Sequence, residues 1–295
     1  MLTRRQLLCG GLAAIGGSAV ALPAWALHEA DSLQLERVRV QVRGLGRPLK
    51  VAQLSDIHWD HANVPWRSIE RAVEMVNALD VDLVALTGDY VTHHPRPIHE
   101  LAPALGRLRS RHGSFAVLGN HDNVRYDSRR KIKKALERAG IGVLENRWTA
   151  LGDLAVGGTG DLWFGPYDPA AALTSLRGRR PTLLLSHNPD TFWRLGDFRI
   201  DLQLSGHTHG GQVRLPGLGP VLALNNRFSQ KVKHYLPALA AAWPYKGWVI
   251  KSSAWAGLYR QADNQLYVSR GMGRFKRLSI GCPPEVTLID LLPVA

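Results

Sequence analysis

Apolar residues fall along this chain in short unbroken runs, separated by stretches in which they recur every three or four positions. Val38, Val40 and Val42 alternate with Arg37, Arg39, Gln41 and Arg43, a period of two that predicts a half-exposed strand. Gly44 to Pro48 supplies a turn, and Leu49 to Leu54 predicts the next strand. Pro65 suits a first helical turn, and Ile69, Val73, Val76 and Leu79 then keep helical spacing within Ser68 to Leu79. Val81 to Leu86 is short, branched and wholly apolar apart from Asp82, the mark of a buried strand. The rhythm continues with helix Ile98 to Leu108, strand Ser114 to Leu118, helix Ser128 to Ala139 and strand Ile141 to Leu144. Leu154 to Gly157, Thr182 to Leu185, Asp201 to Leu204, Gln265 to Ser269 and Glu285 to Leu291 read as further strands, and Gly157-Gly158-Thr159-Gly160 as a turn. Helices and strands taking turns argue for an α/β domain. Residues 212–260, rich in Pro, Gly and Trp, break the rhythm and read as an insertion or lid.

The first residues follow another pattern. Arg4 and Arg5 precede a run from Gln6 to Ala26 that has no charged residue and ends in Ala24-Trp25-Ala26, a small-x-small cleavage pattern. This predicts a twin-arginine signal peptide over residues 1–26 and a mature domain over 27–295. A general secretory signal or an uncut anchor is the alternative. The expected location is the periplasm or cell envelope, at the inner membrane if the leader stays, with the twin-arginine export machinery as a partner. Cys9 and Cys282 are the only cysteines, so a chain without its leader has no intramolecular disulfide and no thiolate zinc site. Composition, with 45% hydrophobic and 21% charged residues, excludes a disordered chain or a multispan membrane protein. The net charge of +13 favours anionic partners without choosing among phosphate esters, nucleic acid and acidic headgroups.

Five of the apolar runs end alike. Leu54 leads into Ser55-Asp56-Ile57-His58, Leu86 into Thr87-Gly88-Asp89, and Leu118 into Gly119-Asn120-His121-Asp122. Leu185 leads into Ser186-His187-Asn188, and Leu204 into Ser205-Gly206-His207-Thr208-His209. Ligands of open α/β sheets bind beyond the carboxyl ends of strands, so these side chains are predicted to gather in one place. Carboxylate and imidazole donors suit Mn²⁺, Fe²⁺ or Zn²⁺. The i, i+2 spacing of Asp56 with His58, and of His207 with His209, puts each pair on one face of an extended strand. A single histidine here reads as a hydrogen-bonded loop residue; five matching strand ends do not.

Asp-x-His, Gly-Asp, Gly-Asn-His-Asp, a lone His after a strand and Gly-His-x-His, in this order, resemble the calcineurin-like metallophosphoesterases. Gly206 to Gln212, Tyr267 to Gly271 and Gly281 to Glu285 resemble the family's exported bacterial branch. The resemblance spans roughly Val38 to Leu292. It implies a four-layer α/β/β/α sandwich with two central mixed sheets, and a phosphoesterase using two divalent ions. Asp56, His58 and His209 would bind one ion, Asn120, His187 and His207 the other, and Asp89 both. A hydroxide held between the ions would attack, His121 would donate a proton or hydrogen bond to the phosphate or leaving group, and Asp122 would orient His121. The expected substrate is a phosphodiester or pyrophosphate of an envelope lipid or nucleotide-linked lipid, with peripheral contact to anionic membrane and no specific nucleic-acid partner. A soluble nucleotide or nucleic-acid phosphodiesterase and a non-catalytic scaffold are the rival readings.

Other residues are set aside. His61, His93 and His94 read as solvated loop residues. Arg129, Arg130, Lys131, Lys133 and Lys134 read as a basic solvated helix face. Trp243, Trp248, Trp255, Tyr235, Tyr245 and Tyr259, with Lys246 and Lys251, read as packing within the insertion, the segment preferred as a substrate-selecting lid. No Gly-x-x-x-x-Gly-Lys loop supports ATP use.

Overall fold

The computed structural model describes residues 25–124, 127–176, 180–223, 252–274 and 277–294. Arg4, Arg5, Cys9 and the rest of the leader through Ala24 lie outside the described residues, as do Tyr235, Trp243, Tyr245, Lys246, Trp248 and Lys251 of the insertion.

Two six-stranded sheets carry the fold. The first contains β1 (Gln34–Arg43), β2 (Leu49–Leu54), β3 (Leu83–Leu86), β4 (Ser114–Ala116), β5 (Gly142–Val143) and the last strand, β14 (Glu285–Val294), in the order β1-β14-β2-β3-β4-β5. The second contains β6 (Arg147–Leu151), β7 (Leu154–Gly158), β8 (Thr182–Leu185), β9 (Leu202–Ser205), β12 (Gly257–Gln261) and β13 (Asn264–Val268), in the order β12-β13-β9-β8-β7-β6. β10 (Arg214–Leu215) and β11 (Gly219–Pro220) form a small separate hairpin. Both large sheets are mixed. β2, β3, β4 and β5 run parallel while β14 opposes β2, and β7, β8, β9 and β13 run parallel between antiparallel edges.

The period of two sorts side chains into layers. Leu183 and Leu185 join Val51, Ala85, Ile289, Val156 and Leu204 in the core between the sheets. Leu184, from the same strand, turns outward to Leu173, Phe192 and Leu266. The first sheet's outer face (Ala52, Leu54, Val84, Leu86) is covered by α2 (Trp66–Asn77), α3 (Ile98–Leu105) and α4 (Ser128–Arg138) through residues such as Val76, Leu101 and Ile132. α5 (Pro169–Leu173) and the 3₁₀ turn Pro189–Arg194 cover the second. The result is a four-layer α/β/β/α sandwich. A helical stretch over residues 25–31, α1, lies ahead of β1. Among the described residues no helix is long and apolar enough to cross a membrane.

Three local expectations need correcting. Gly157 and Gly158 finish β7 instead of turning; a Cβ at Gly158 would sit 2.1 Å from the Leu144 carbonyl oxygen, so glycine there lets the two sheets approach. Pro65 caps α2 from just outside it. Within the span predicted as irregular, residues 257–261 form β12, an edge strand paired to β13.

Candidate metal centre

β2 is followed by Asp56 and His58, β3 by Asp89, β4 by Asn120 and His121, β8 by His187, and β9 by His207 and His209. The structure brings all of these to one edge of the sandwich. The i, i+2 pairs do not reach it as extended strand. β2 stops at Leu54 and β9 at Ser205, and Asp56 (φ 50°), His58 (φ 50°), Asp89 (φ 55°), His207 (φ 71°) and His209 (φ 48°) are all left-handed. Such backbone costs about 1–3 kcal/mol per residue and persists only where its surroundings impose it. Here the Asp56 N–H donates to the Gly88 carbonyl and the His58 N–H to the Asp89 carbonyl, lacing the two loops together.

The donor atoms fall into two sets. Asp56, His58 and His209 form one and Asp89, His187 and His207 the other, with a third group, His58, Asp89 and His121, linking them; ligand atoms inside each group lie within 4.8 Å of one another. Asp89 touches both: its Oδ2 lies 3.5 Å from His58 Nε2 and 3.2 Å from His187 Nε2. Asn120 Oδ1 lies 3.0 Å from His187 Nε2 and 2.8 Å from His207 Nδ1. His58 Nε2 and His209 Nε2 face each other at 3.1 Å. His121, half-buried, presents its ring edge-on to His58 with centroids 4.8 Å apart.

Proton positions follow from the partners. His187 Nδ1 donates to the Thr87 carbonyl (2.8 Å), His209 Nδ1 to the Gly273 carbonyl (2.9 Å) and His121 Nδ1 to the Thr92 carbonyl (2.6 Å). A carbonyl only accepts, so each Nδ1 carries a proton, and Nε2 is the nitrogen each ring turns outward. At His187 this nitrogen meets two oxygens, those of Asp89 and Asn120. At His209 it meets another imidazole nitrogen. Oxygens and imidazole nitrogens packed this closely in a buried space need a proton or a metal ion between them. Burial would lower His187, yet the adjacent Asp89 carboxylate drives it up to about 10. Burial would raise Asp89, yet the His187 charge holds it well below the usual carboxylate range. A proton between them does the work a metal ion would do. Burial keeps His58 and His209 below the ordinary histidine range and, with His187 beside it, brings His207 down to about 3. Neutral imidazoles and ionised carboxylates are the ligating forms, so the donor set fits divalent metal.

The supporting residues differ from expectation in one respect. Asp122 does not orient His121, which is held by Thr92. The Asp122 carboxylate is buried under β3 and β4 and accepts from the backbone N–H groups of Asp89 (2.8 Å), Tyr90 (3.0 Å) and Gly119 (2.8 Å). It therefore braces the loop that carries Asp89. Burial, and then the Asp89 charge, push it up to about 7. Two glycines leave room for ligands: a Cβ at Gly119 would stand 2.2 Å from Asp89 Oδ1, and one at Gly206 2.0 Å from Asp56 Oδ2.

Sequence reasoning missed the loop after β13. Gly273 supplies the carbonyl that fixes His209, and the buried Arg274 guanidinium donates to the carbonyls of Arg270, Gly271, Gly273 and Cys282. The Tyr267 to Gly271 resemblance stops short of both residues, and nothing in their residue types names a role. His61 and His94 are exposed; His93 is exposed too, with its ring 6.1 Å from that of His121. On α4, Arg129 is not free but doubly bonded to Glu145 at 2.6 and 2.5 Å. Trp255 is buried and donates its backbone N–H to the Tyr259 hydroxyl, so both serve packing.

Comparison with known proteins agrees with this geometry. The model of the calcineurin-like phosphoesterase family matches residues 49–211, a span that contains every candidate ligand. Phosphodiesterase YaeI of Escherichia coli is 32% identical over 251 residues, covering 83% of each chain. UDP-2,3-diacylglucosamine pyrophosphatase LpxG of Chlamydia trachomatis is 27% identical over 292 residues, covering 83% of this chain and 84% of its own. The metallophosphoesterase YkuE of Bacillus subtilis is 28% identical over 251 residues, covering 82% of this chain and 78% of its own.

Proposed function

The chain belongs to the calcineurin-like phosphoesterase family, and on that premise we propose that it is an exported two-metal enzyme that hydrolyses a phosphodiester or pyrophosphate bond of an envelope lipid or nucleotide-linked lipid. Hydrolysis of phosphate esters, with divalent metal, comes with the family. The observation that carries the two-metal reading is the convergence of two donor sets on one shared carboxylate, Asp89, with the Nε2 atoms of His58, His187 and His209 turned inward.

Asp56, His58 and His209 would hold one ion, Asn120, His187 and His207 the other, and Asp89 both. Bound there, such ions supply Lewis acidity and make water a usable nucleophile near neutral pH. The chain's own residues do the rest. The carbonyls of Thr87 and Gly273 keep His187 and His209 in the tautomer that presents Nε2. The Thr92 carbonyl does the same for His121, whose Nε2 is then the atom that holds or gives up a proton toward the substrate. Asp122 keeps the Asp89 loop in its left-handed conformation by accepting hydrogen bonds from three backbone N–H groups.

Three features support the choice of substrate class and location. The LpxG relative is named for a nucleotide-linked lipid. The net charge of +13 favours an anionic surface. The Arg4-Arg5 leader supports twin-arginine export to the envelope. The test is a panel of nucleotide-linked lipid, phospholipid and water-soluble dinucleotide substrates, assayed with Mn²⁺ and Zn²⁺ on wild type and Asp89→Asn. The reading predicts metal-dependent turnover, fastest on the lipid-linked pyrophosphate or diester and absent in the variant. Preference for the soluble dinucleotide would replace it with the nucleotide reading.

A further inference from the structure

The envelope-phosphoesterase reading leaves open how the site meets a substrate held in a bilayer; the distribution of exposed apolar side chains answers this. The described residues include eleven large hydrophobic side chains that remain exposed. Three segments that leave the ligand-bearing strands carry five of them. Val124 follows His121, Trp193 follows His187, and Leu215, Leu218 and Val221 follow His209. Trp163 (54% exposed) and Phe164 (64%) stand on the loop that leaves β7, which runs parallel to β8 and so ends on the same edge.

The remaining ones extend the pattern. Leu278 follows β13, which is parallel to β9. β1 is parallel to β14 and so antiparallel to β2, which sets its first residue, and α1 ahead of it, at the edge where β2 ends. Trp25 (45% exposed) and Leu27 (48%) lie on α1. Only Val294, at the far end of β14, belongs to the opposite edge. Exposed hydrophobics scattered singly need no explanation, but ten of eleven on segments that leave or enter the sheets at one edge do. The edge is basic as well. A cavity of about 400 Å³ beside Leu27 is lined by Arg67, Arg71 and Arg277, of which Arg67 and Arg277 share the single carboxylate of Asp31. Across the edge, the Arg194 guanidinium stands 6.0 Å from the Trp163 ring. Tryptophan beside arginine suits a bilayer interface, with apolar rings below and cations at the headgroups. The chain also enters here: residue 25 is preceded by the uncharged apolar run that begins at Gln6.

We propose that this edge is a docking face for the surface of an anionic phospholipid bilayer. Trp163, Phe164 and Trp193 insert on one flank, Trp25 and Leu27 on the other, and the donor cluster between them faces the headgroups. The proposal rests on the phosphoesterase reading for its purpose but on the side-chain distribution for its argument.

The experiment is co-sedimentation of the full chain with vesicles of phosphatidylcholine alone or with one-third phosphatidylglycerol. Wild type should partition at least about tenfold more strongly onto the anionic vesicles, since each basic residue near such a surface adds to the attraction. Trp163→Ser/Phe164→Ser/Trp193→Ser should weaken that partition at least tenfold, Phe164→Ser alone several-fold, and Val294→Ser on the opposite edge not at all. Equal partition of wild type and the triple variant would mean that the leader alone holds the protein, and would overturn the proposal. So would indifference to phosphatidylglycerol. Metal-dependent turnover of a water-soluble chromogenic diester by wild type without vesicles is scored separately, so that failure of the catalytic reading and failure of the docking face are told apart.

Discussion

Leu183 and His187 lie a few residues apart and are equally buried, each about 1% exposed, yet they answer to different physics. Leu183 sits in ordinary strand among apolar neighbours of both sheets, where removal from water is favourable. His187 sits among carboxylates and imidazoles, where burial is favourable only if charge is matched. The contrast repeats at every ligand-bearing strand. Of the eleven described non-glycine residues with positive φ, Asp56, His58, Asp89, His207 and His209 are candidate ligands, so backbone strain is concentrated in the loops and largely absent from the strands. The strands and the three cores supply the stability that holds those loops in place. Stability and chemistry are therefore separable by mutation.

Asp89→Asn should have the largest effect. Activity should fall beyond the about 10²–10³-fold that follows loss of one preorganised electrostatic group, because both donor sets lose a carboxylate; steady-state kinetics on a chromogenic diester would read it. His121→Ala comes next, with kcat lower by about 10²-fold or more and bound metal retained. If metal leaves with His121, that residue belongs among the ligands and its proton role fails. Leu185→Ala should act on the other side of the contrast, costing about 2–5 kcal/mol of stability from the inter-sheet core. At about 2–4 °C per kcal/mol the thermal midpoint should drop visibly while metal per folded chain stays constant. The smallest change is Asp122→Asn. It turns an amide N–H₂ toward backbone donors and should cost about 1–3 kcal/mol. Were it to abolish activity without touching the melting point, Asp122 would be chemical and not a brace.

Much of this was legible beforehand, for physical reasons. Thr182–Leu185 and Leu49–Leu54 were read to the residue, the first because a parallel strand buried on both faces is almost wholly apolar, the second because the Gly44 to Pro48 turn marks where it begins. The gathering of ligands was legible because chain direction alone sends the loops after parallel strands to one edge. β6 was not: Arg147, Trp148, Thr149, Ala150 and Leu151 are half in water and carry no clean alternation. The left-handed backbone at Asp56 and His207 was hidden as well, since nothing in those residue types distinguishes a strand from a turn held by a neighbouring loop. The pairing of β14 beside β2, and the clamp by Arg274 that sets Gly273 under His209, depend on contacts distant in sequence. Periodicity does not report such contacts.

The central claim is that one buried carboxylate joins two sets of donors around divalent ions. Elemental analysis of the purified wild type, of His187→Ala and of Asp89→Asn tests it most directly. The account predicts about two ions per folded wild-type chain, one or fewer in His187→Ala, and none firmly held in Asp89→Asn. Folded wild-type protein that hydrolyses phosphodiesters at full rate with no ion bound, after exhaustive chelation, would contradict it.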